Sequence, residues 1–239
     1  LAADGRDSSS RKKWNIKYLK SFYNQRCISF KAILKGATKK RAYEIFRHEG
    51  PLALLPLEEC TYQVIWFSSI ENTHKKLKLS NNELLDKLSS ILPDKIIADK
   101  VVGKISNYSV AKAFALPKLT NFKNLIIGDS AHSFHPVGGQ GLNSCIRDVY
   151  EIGKILNNID NKSNLYRNFI HLFYFCSRSI DIISLILFTD FLIKLFSNKI
   201  KITYPLRNLI FYLMRKIKFI RSNVFSLMTD SIKRYKLDK

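Results

Sequence analysis

Apolar and polar positions alternate in short runs between residues 27 and 69, and the runs at 27–34, 41–48 and 61–69 predict β-strands. In the last run Tyr62, Val64 and Trp66 alternate with Gln63, Ile65 and Phe67, while Gly50-Pro51 and Pro56 punctuate the region. Ser80-Asn-Asn-Glu83 has the form of a capping box and predicts a helix to about Leu92, stopped by Pro93. Another strand is expected over about 104–115. The pattern then changes: Asn124-Leu-Ile-Ile127 is a short apolar run ending at Gly128-Asp129, the form expected of a buried parallel strand. Leu142, Cys145, Ile146, Val149, Ile152 and Leu156 recur at helical spacing and predict an amphipathic helix from near Gly141 to about Asn158. Past residue 162 the pattern is helical to the end.

This order predicts a mixed α/β (α+β) fold for 239 residues, long enough to bury a substantial core. Hydrophobic residues make up 46% and charged residues 25%, which excludes a disordered chain. The charge changes the picture more: 40 Lys+Arg against 19 Asp+Glu leave +21, a surplus that favours an anionic partner, although most of the basic residues are Lys and background composition explains part of it. Cys27, Cys60, Cys145 and Cys176 show no metal-type or disulfide-type spacing, so a reducing compartment is expected. The opening residues do not read as a signal peptide.

Residues 180–196 are strongly apolar, but Asp181, Asp190 and Lys194 interrupt them, and a spanning helix needs about 20 nearly uncharged residues. Residues 194–239 hold twelve Lys/Arg against two Asp, interleaved with Phe196, Tyr204, Phe211, Tyr212, Phe219 and Phe225. That mixture suits either helices lying on an anionic bilayer or a bundle with basic exposed faces.

The candidate chemistry lies between Leu125 and Asn143. An apolar strand would deliver the Asp129 carboxylate at its C-terminal end, where open α/β sheets bind ligands and a carboxylate accepts sugar hydroxyls. Pro136, Gly138, Gly139 and Gly141 follow in a loop that lets backbone approach a ligand closely. The next helix starts without an acidic residue in its first turn, so its amides and dipole favour an anionic group. Three other readings compete. Ser130 lacks the G-x-S-x-G elbow of a nucleophile because position 132 is His. Asp129, His132 and His135 have no fourth metal partner, so no metal is assigned. The glycines could also serve as turn residues alone.

Residues Gly128-Asp-Ser-Ala-His-Ser-Phe-His-Pro-Val-Gly-Gly-Gln-Gly-Leu-Asn143, followed by Arg147-Asp148, resemble the second flavin-binding motif of class A FAD-dependent aromatic monooxygenases, closest to the ubiquinone-biosynthesis (2-polyprenyl-6-methoxyphenol hydroxylase-like) hydroxylases. Asp4-Gly5, with Ser8 and Arg11, is similar to the family's Asp-Gly motif, and 46–56 is similar to its sheet segment near the substrate. The C-terminal helices are similar more weakly. The resemblance implies a partial FAD-binding Rossmann-like domain (1–13 and 116–160), an inserted substrate-binding β-sheet domain (14–115) and a C-terminal basic helical region (161–239). The family's G-x-G-x-x-G turn is absent from this sequence, so it reads as a C-terminal fragment.

The resemblance further implies that Gly128 belongs to the cofactor site, that Asp129 hydrogen-bonds the ribitol of FAD, that the backbone through Pro136, Gly138, Gly139 and Gly141 passes along the flavin ring, and that Leu142 and Asn143 face its N1–C2=O edge. Asp4 and Gly5 would sit near the flavin, with Arg11 ordering their loop. NAD(P)H and O2 are the implied co-substrates, with hydroxylation of a polyprenylated phenol through a flavin C4a-hydroperoxide. The cofactor carries that chemistry, so no side-chain acid or base is assigned. Phe46, Leu52–Leu55 and Tyr62–Phe67 would wall an apolar substrate cavity. Docking at a membrane through 194–239, partner proteins of quinone biosynthesis and a cytoplasmic, membrane-peripheral location follow as expectations. The alternatives are a non-catalytic remnant of such an enzyme or a basic nucleic-acid- or membrane-binding protein. No nucleic-acid partner is expected, because zinc, RRM and helix-turn-helix signatures are missing.

Overall fold

A computed structural model describes residues 1–38, 41–93, 95–116, 124–157 and 169–229. The chain divides into two compact units. A sheet unit comprises Phe22–Val110 and Leu192–Lys201, and a loop unit comprises Leu1–Ser21, Ala111–Phe191 and Ile202–Lys239. The predicted ends at 158 and 162–168, and the basic residues beyond 229, lie outside the described residues.

In the sheet unit, β1 (Tyr18–Lys35), β2 (Tyr43–Ile45), β3 (Leu52–Pro56), β4 (Thr61–Ser69) and β5 (Ile97–Ala115) lie in the order β2-β3-β4-β1-β5. The antiparallel register places Ile28 opposite Trp66, Phe30 opposite Val64 and Ala32 opposite Tyr62, with Leu52 and Leu54 opposite Trp66 and Val64 on the next strand. Strand residues two apart share a face. These side chains therefore form one layer, which closes over Leu84, Leu85 and Leu88 of α3 (Asn81–Ser89). The capping box is present as read: Ser80 caps the Glu83 amide, and the Glu83 carboxylate accepts from the Ser80 amide. The helix ends at Ser89 rather than Leu92.

Two elements escaped the pattern. The helix α2 (Ile70–Leu77) follows β4 directly, capped by Ser69. Strand β3, bounded by Pro51 and Pro56, shows no alternation, although it lies in the 46–56 segment that the resemblance gave as sheet. Leu52, Leu54, Tyr62, Val64 and Trp66 are core residues, and in β3 it is the alternate residue, Leu55, that points outward.

In the loop unit, the expected strand at 124–127 is a parallel bridge between Ala2 and Ile126 rather than a full strand. The Ala2 amide donates to the Leu125 carbonyl (2.8 Å) and the Ile127 amide to the Ala2 carbonyl (3.0 Å). β6 (His132–Ser133) pairs with Ala113 and Phe114 at the end of β5. The helices are α1 (Ser9–Lys13), α4 (Gln140–Asn157), α5 (Ile170–Phe196, its last turns in the sheet unit), α6 (Tyr204–Lys216) and α7 (Lys218–Thr229). The predicted continuous helical stretch breaks after Phe196, where Asn198 and Pro205 bracket the turn into α6. No helix among the described residues is long and apolar enough to cross a membrane, and Asp181 is buried within α5.

Candidate functional site

The parallel bridge ends at Gly128, whose backbone is left-handed (φ +62°). A residue with a side chain is strained there, and a Cβ would come within 3.3 Å of Cys145 Sγ. One 3₁₀ turn follows, Gly128–Ser130, which leaves Asp129 exposed between two buried neighbours. Cys145 Sγ lies 3.8 Å from Asp129 Oδ1, and burial together with Asp129 pushes the Cys145 thiol up to about 11, so it faces the carboxylate as a protonated donor.

His132 and His135 point to separate partners rather than to a common ion. His132 Nε2 donates to Asp148 Oδ2 at 2.6 Å. His135 is buried, its Nδ1 accepts from the Val137 amide (3.1 Å), and burial pulls its pKa down to about 4, so it is neutral at physiological pH.

The second half of the loop turns on Gly138 and Gly139, both left-handed (φ +74° and +64°). It delivers the chain into α4, which begins at Gln140 and has no acidic residue in its first turn. The Gln140 amide group folds back onto the Gly138 carbonyl (2.9 Å), and its Oε1 is buried with no partner among the described residues. A Cβ on Gly139 or Gly141 meets nothing within 4 Å, so the space beside this backbone is open. Leu142 (71% exposed) and Asn143 stand at its rim.

The Asp4-Gly5 segment joins the same loop. Asp4 accepts from Ser8 Oγ (2.5 Å) and from the Ser10 amide (2.9 Å), and these bonds hold its carboxyl at about 2. Ser8 in turn caps α1 through the Arg11 amide. Arg11 is buried; it donates to the Ser130 carbonyl (2.7 Å) and the Arg6 carbonyl (2.9 Å), and its guanidinium lies 3.7 Å over the Tyr18 ring. One side chain thus ties the Asp4 loop to the Asp129 turn. Every residue expected at the site, from Asp4, Gly5 and Arg11 to Gly128, Asp129, Pro136, Gly138, Gly139, Gly141, Leu142 and Asn143, belongs to this unit.

Behind the loop stands a charged cluster that the motif exposed only in part, since it contains His132, Arg147 and Asp148 but not Arg178 or Asp181. Asp148 accepts from the Gly128 amide (2.8 Å), from His132 and from Arg178 Nε (2.8 Å). Burial would raise its pKa, but His132 and Arg178 reverse that and hold the carboxylate below its usual range. Arg178 also pairs with Asp181, three residues on in α5, and Arg147 Nε lies 3.3 Å from Asp181 Oδ2. A helical Arg and Asp three apart within an apolar run was the available signal.

An exposed carboxylate, a turn on two left-handed glycines with open space beside Gly139 and Gly141, and a helix start without acidic residues form a cradle suited to a polyhydroxylated, electron-rich cofactor. The FAD binding domain family matches residues 1–162, more than half of the chain, and the chain belongs to that family. Its particular likeness is to FAD-dependent monooxygenases. The ubiquinone hydroxylase UbiL of Rhodospirillum rubrum is 27% identical over 84% of this chain and 47% of its own length. The 3-demethoxyubiquinol 3-hydroxylase of Escherichia coli is 24% identical over 66% of this chain and 40% of its own. The anhydrotetracycline hydroxylase OxyS of Streptomyces rimosus shares the fold, with a TM-score of 0.66 and 18% identity over 95% of this chain and 44% of that one. The chain spans about two fifths of the length of the curated relatives it matches.

Proposed function

We propose that this chain is the flavin-facing part of an FAD-dependent monooxygenase that hydroxylates the ring of a polyprenylated phenol in ubiquinone biosynthesis. The observation that carries this reading is the exposed Asp129 facing the acid-free start of α4 across the Gly138-Gly139 turn. FAD, when bound, supplies electron transfer from NAD(P)H and activation of dioxygen. The protein's own residues hold and orient it. Asp129 would accept from a ribitol hydroxyl, with the Cys145 thiol as its neighbour. The backbone from Pro136 to Gly141, which has no Cβ at three of its positions, would hold the flavin ring. The amides of Leu142 and Asn143 and the positive end of α4 would stabilise the negative charge that flavin gains on reduction, and such fixed dipoles need no reorganisation. Neutral His135 would keep the loop shaped without adding a charge to it.

Homology to enzymes named for ubiquinone biosynthesis supports a phenolic substrate carrying a prenyl tail. Such a tail resides in a bilayer. The helices α6 and α7 suit a site of delivery: no acidic residue occurs from Phe191 to Thr229, while Ile202, Tyr204, Leu206, Leu209, Phe211, Tyr212 and Phe219 are exposed among Lys and Arg.

Fusing the chain behind the dinucleotide-binding segment of the Escherichia coli hydroxylase and purifying the product tests the proposal. Retained flavin, lost on Asp129→Leu, and prenylphenol-stimulated NAD(P)H oxidation are expected. A colourless, folded product would leave the non-catalytic remnant as the reading. Sedimentation with anionic vesicles, strong in the full chain and lost after removal of 194–239, tests the membrane arm.

A further inference from the structure

Asp129 and the first turn of α4 flank the open backbone, so any ligand seated there depends on their separation. One side chain from a distant helix serves both ends of the intervening segment, the α4 end directly and the Gly128 end through Asp148. Arg178 of α5 is fully buried; its Nε donates to Asp148 Oδ1 at 2.8 Å, and its Nη2 reaches Ser144 Oγ at 3.1 Å and the Ser144 carbonyl at 3.3 Å. The other oxygen of Asp148 receives the Gly128 amide at 2.8 Å. We infer that Arg178 is a positioning residue for the cofactor turn: through Asp148 it fixes Gly128, and through Ser144 it fixes the start of α4.

The geometry has three supports. Gly128 has no side chain to restrain its backbone, and rotation there would swing Asp129, so the bond to Asp148 removes the freedom that glycine introduces. A guanidinium offers five donors in a rigid plane, which lets one group serve a carboxylate and a carbonyl in different directions; an ammonium is a single point. Asp181 pairs with both Arg178 and Arg147, so that with Asp148 two carboxylates face two guanidiniums. The bonds from Arg178 to Asp148, Asp181 and Ser144 bear on Gly128 and Asp129 through those neighbours. The inference rests on the reading of this loop as the seat of FAD.

Arg178→Lys keeps the charge and removes the fork. In the purified chain, amide hydrogen exchange should speed up at Gly128 and over 144–145 by about tenfold, the scale of one lost charge-assisted hydrogen bond. Affinity for added FAD, followed by flavin fluorescence, should fall by about the same factor, and the visible circular dichroism of bound flavin should change shape. Leu88→Ala in the sheet unit, which lowers stability without touching the loop, should leave all three readouts unaltered. Exchange at Gly128 within twofold of the parent in Arg178→Lys overturns the inference, as does faster exchange with unchanged FAD affinity. Equal weakening by Leu88→Ala also overturns it, because general stability then explains the effect. If the parent chain shows no saturable FAD binding, the cofactor reading fails separately, and the exchange experiment still decides whether Arg178 orders the turn.

Discussion

Fourteen buried residues of the sheet unit, from Ile28 to Ala98, merge into one apolar core beside a small cluster of Cys27, Phe67 and Val110, whereas the described part of the loop unit has three small clusters and no large one. The middle of the loop unit is held instead by Asp148, Asp181, Arg147, Arg178 and His132. The sheet unit also buries a cation, Lys76, over the Trp66 ring and paired with Glu49 at 3.2 Å, but that carboxylate keeps a quarter of its side chain in water. An apolar core excludes water without dictating direction, and neighbouring side chains can repack. A hydrogen-bonded cluster is directional, and each member fixes the next. The unit that must hold a turn in one conformation is the one that uses such a cluster.

Removing one cation from each unit should separate the two most. Arg178→Met leaves Asp148 and Asp181 buried with their main partner gone, and a broken buried pair costs about 3–5 kcal/mol. Lys76→Met should cost about 1 kcal/mol or less, because Glu49 can rehydrate. Urea denaturation followed by circular dichroism measures both, and equal losses would erase the distinction.

Acid should reach the loop unit first. His135 titrates near 4 in the fold against about 6.5 unfolded, so the unfolded chain binds the extra proton between those values. Stability is therefore complete above about pH 6.5 and falls as pH drops to 4, by up to about 3 kcal/mol. The Asp148 carboxylate, held below its ordinary range, loses its contribution only at lower pH. A pH series of urea midpoints should show this slope in the parent and a flatter one in His135→Phe.

Gly128→Ala places a side chain in left-handed backbone against Cys145 and should cost about 1–2 kcal/mol by the same measurement. The smallest effect is expected on the outer face of α4, where Leu142, Ile146 and Val149 are 71, 54 and 60% exposed. Leu142→Gln with Ile146→Gln should shift stability by no more than about 0.5 kcal/mol. A large loss there would mean that this stripe is covered.

Much of this was legible in the sequence where one period ran long enough. The alternation at 61–69 matches β4, and the capping box at Ser80 and the apolar spacing from Leu142 mark α3 and α4. The first half of β1 was not legible, because its exposed residues, such as Lys20 and Phe22, follow no inward-outward alternation. β3 was hidden by its prolines, and α2 by its brevity. At the site, the glycines and Asp129 could be read because chain neighbours build the turn. The Arg178 cluster could not: Asp148 and Arg178 are 30 positions apart, and Asp181 in an apolar run reads as an interruption until its partner is seen.

The bridge between Ala2 and Ile126 joins residues 124 positions apart, while the sheet unit closes almost entirely within Phe22–Val110. Long-range pairing is slow because chain closure precedes its reward. During synthesis the antiparallel hairpins can therefore consolidate while the residues around Ala2 wait, and the cradle is assembled only after α4 and α5 have left the ribosome.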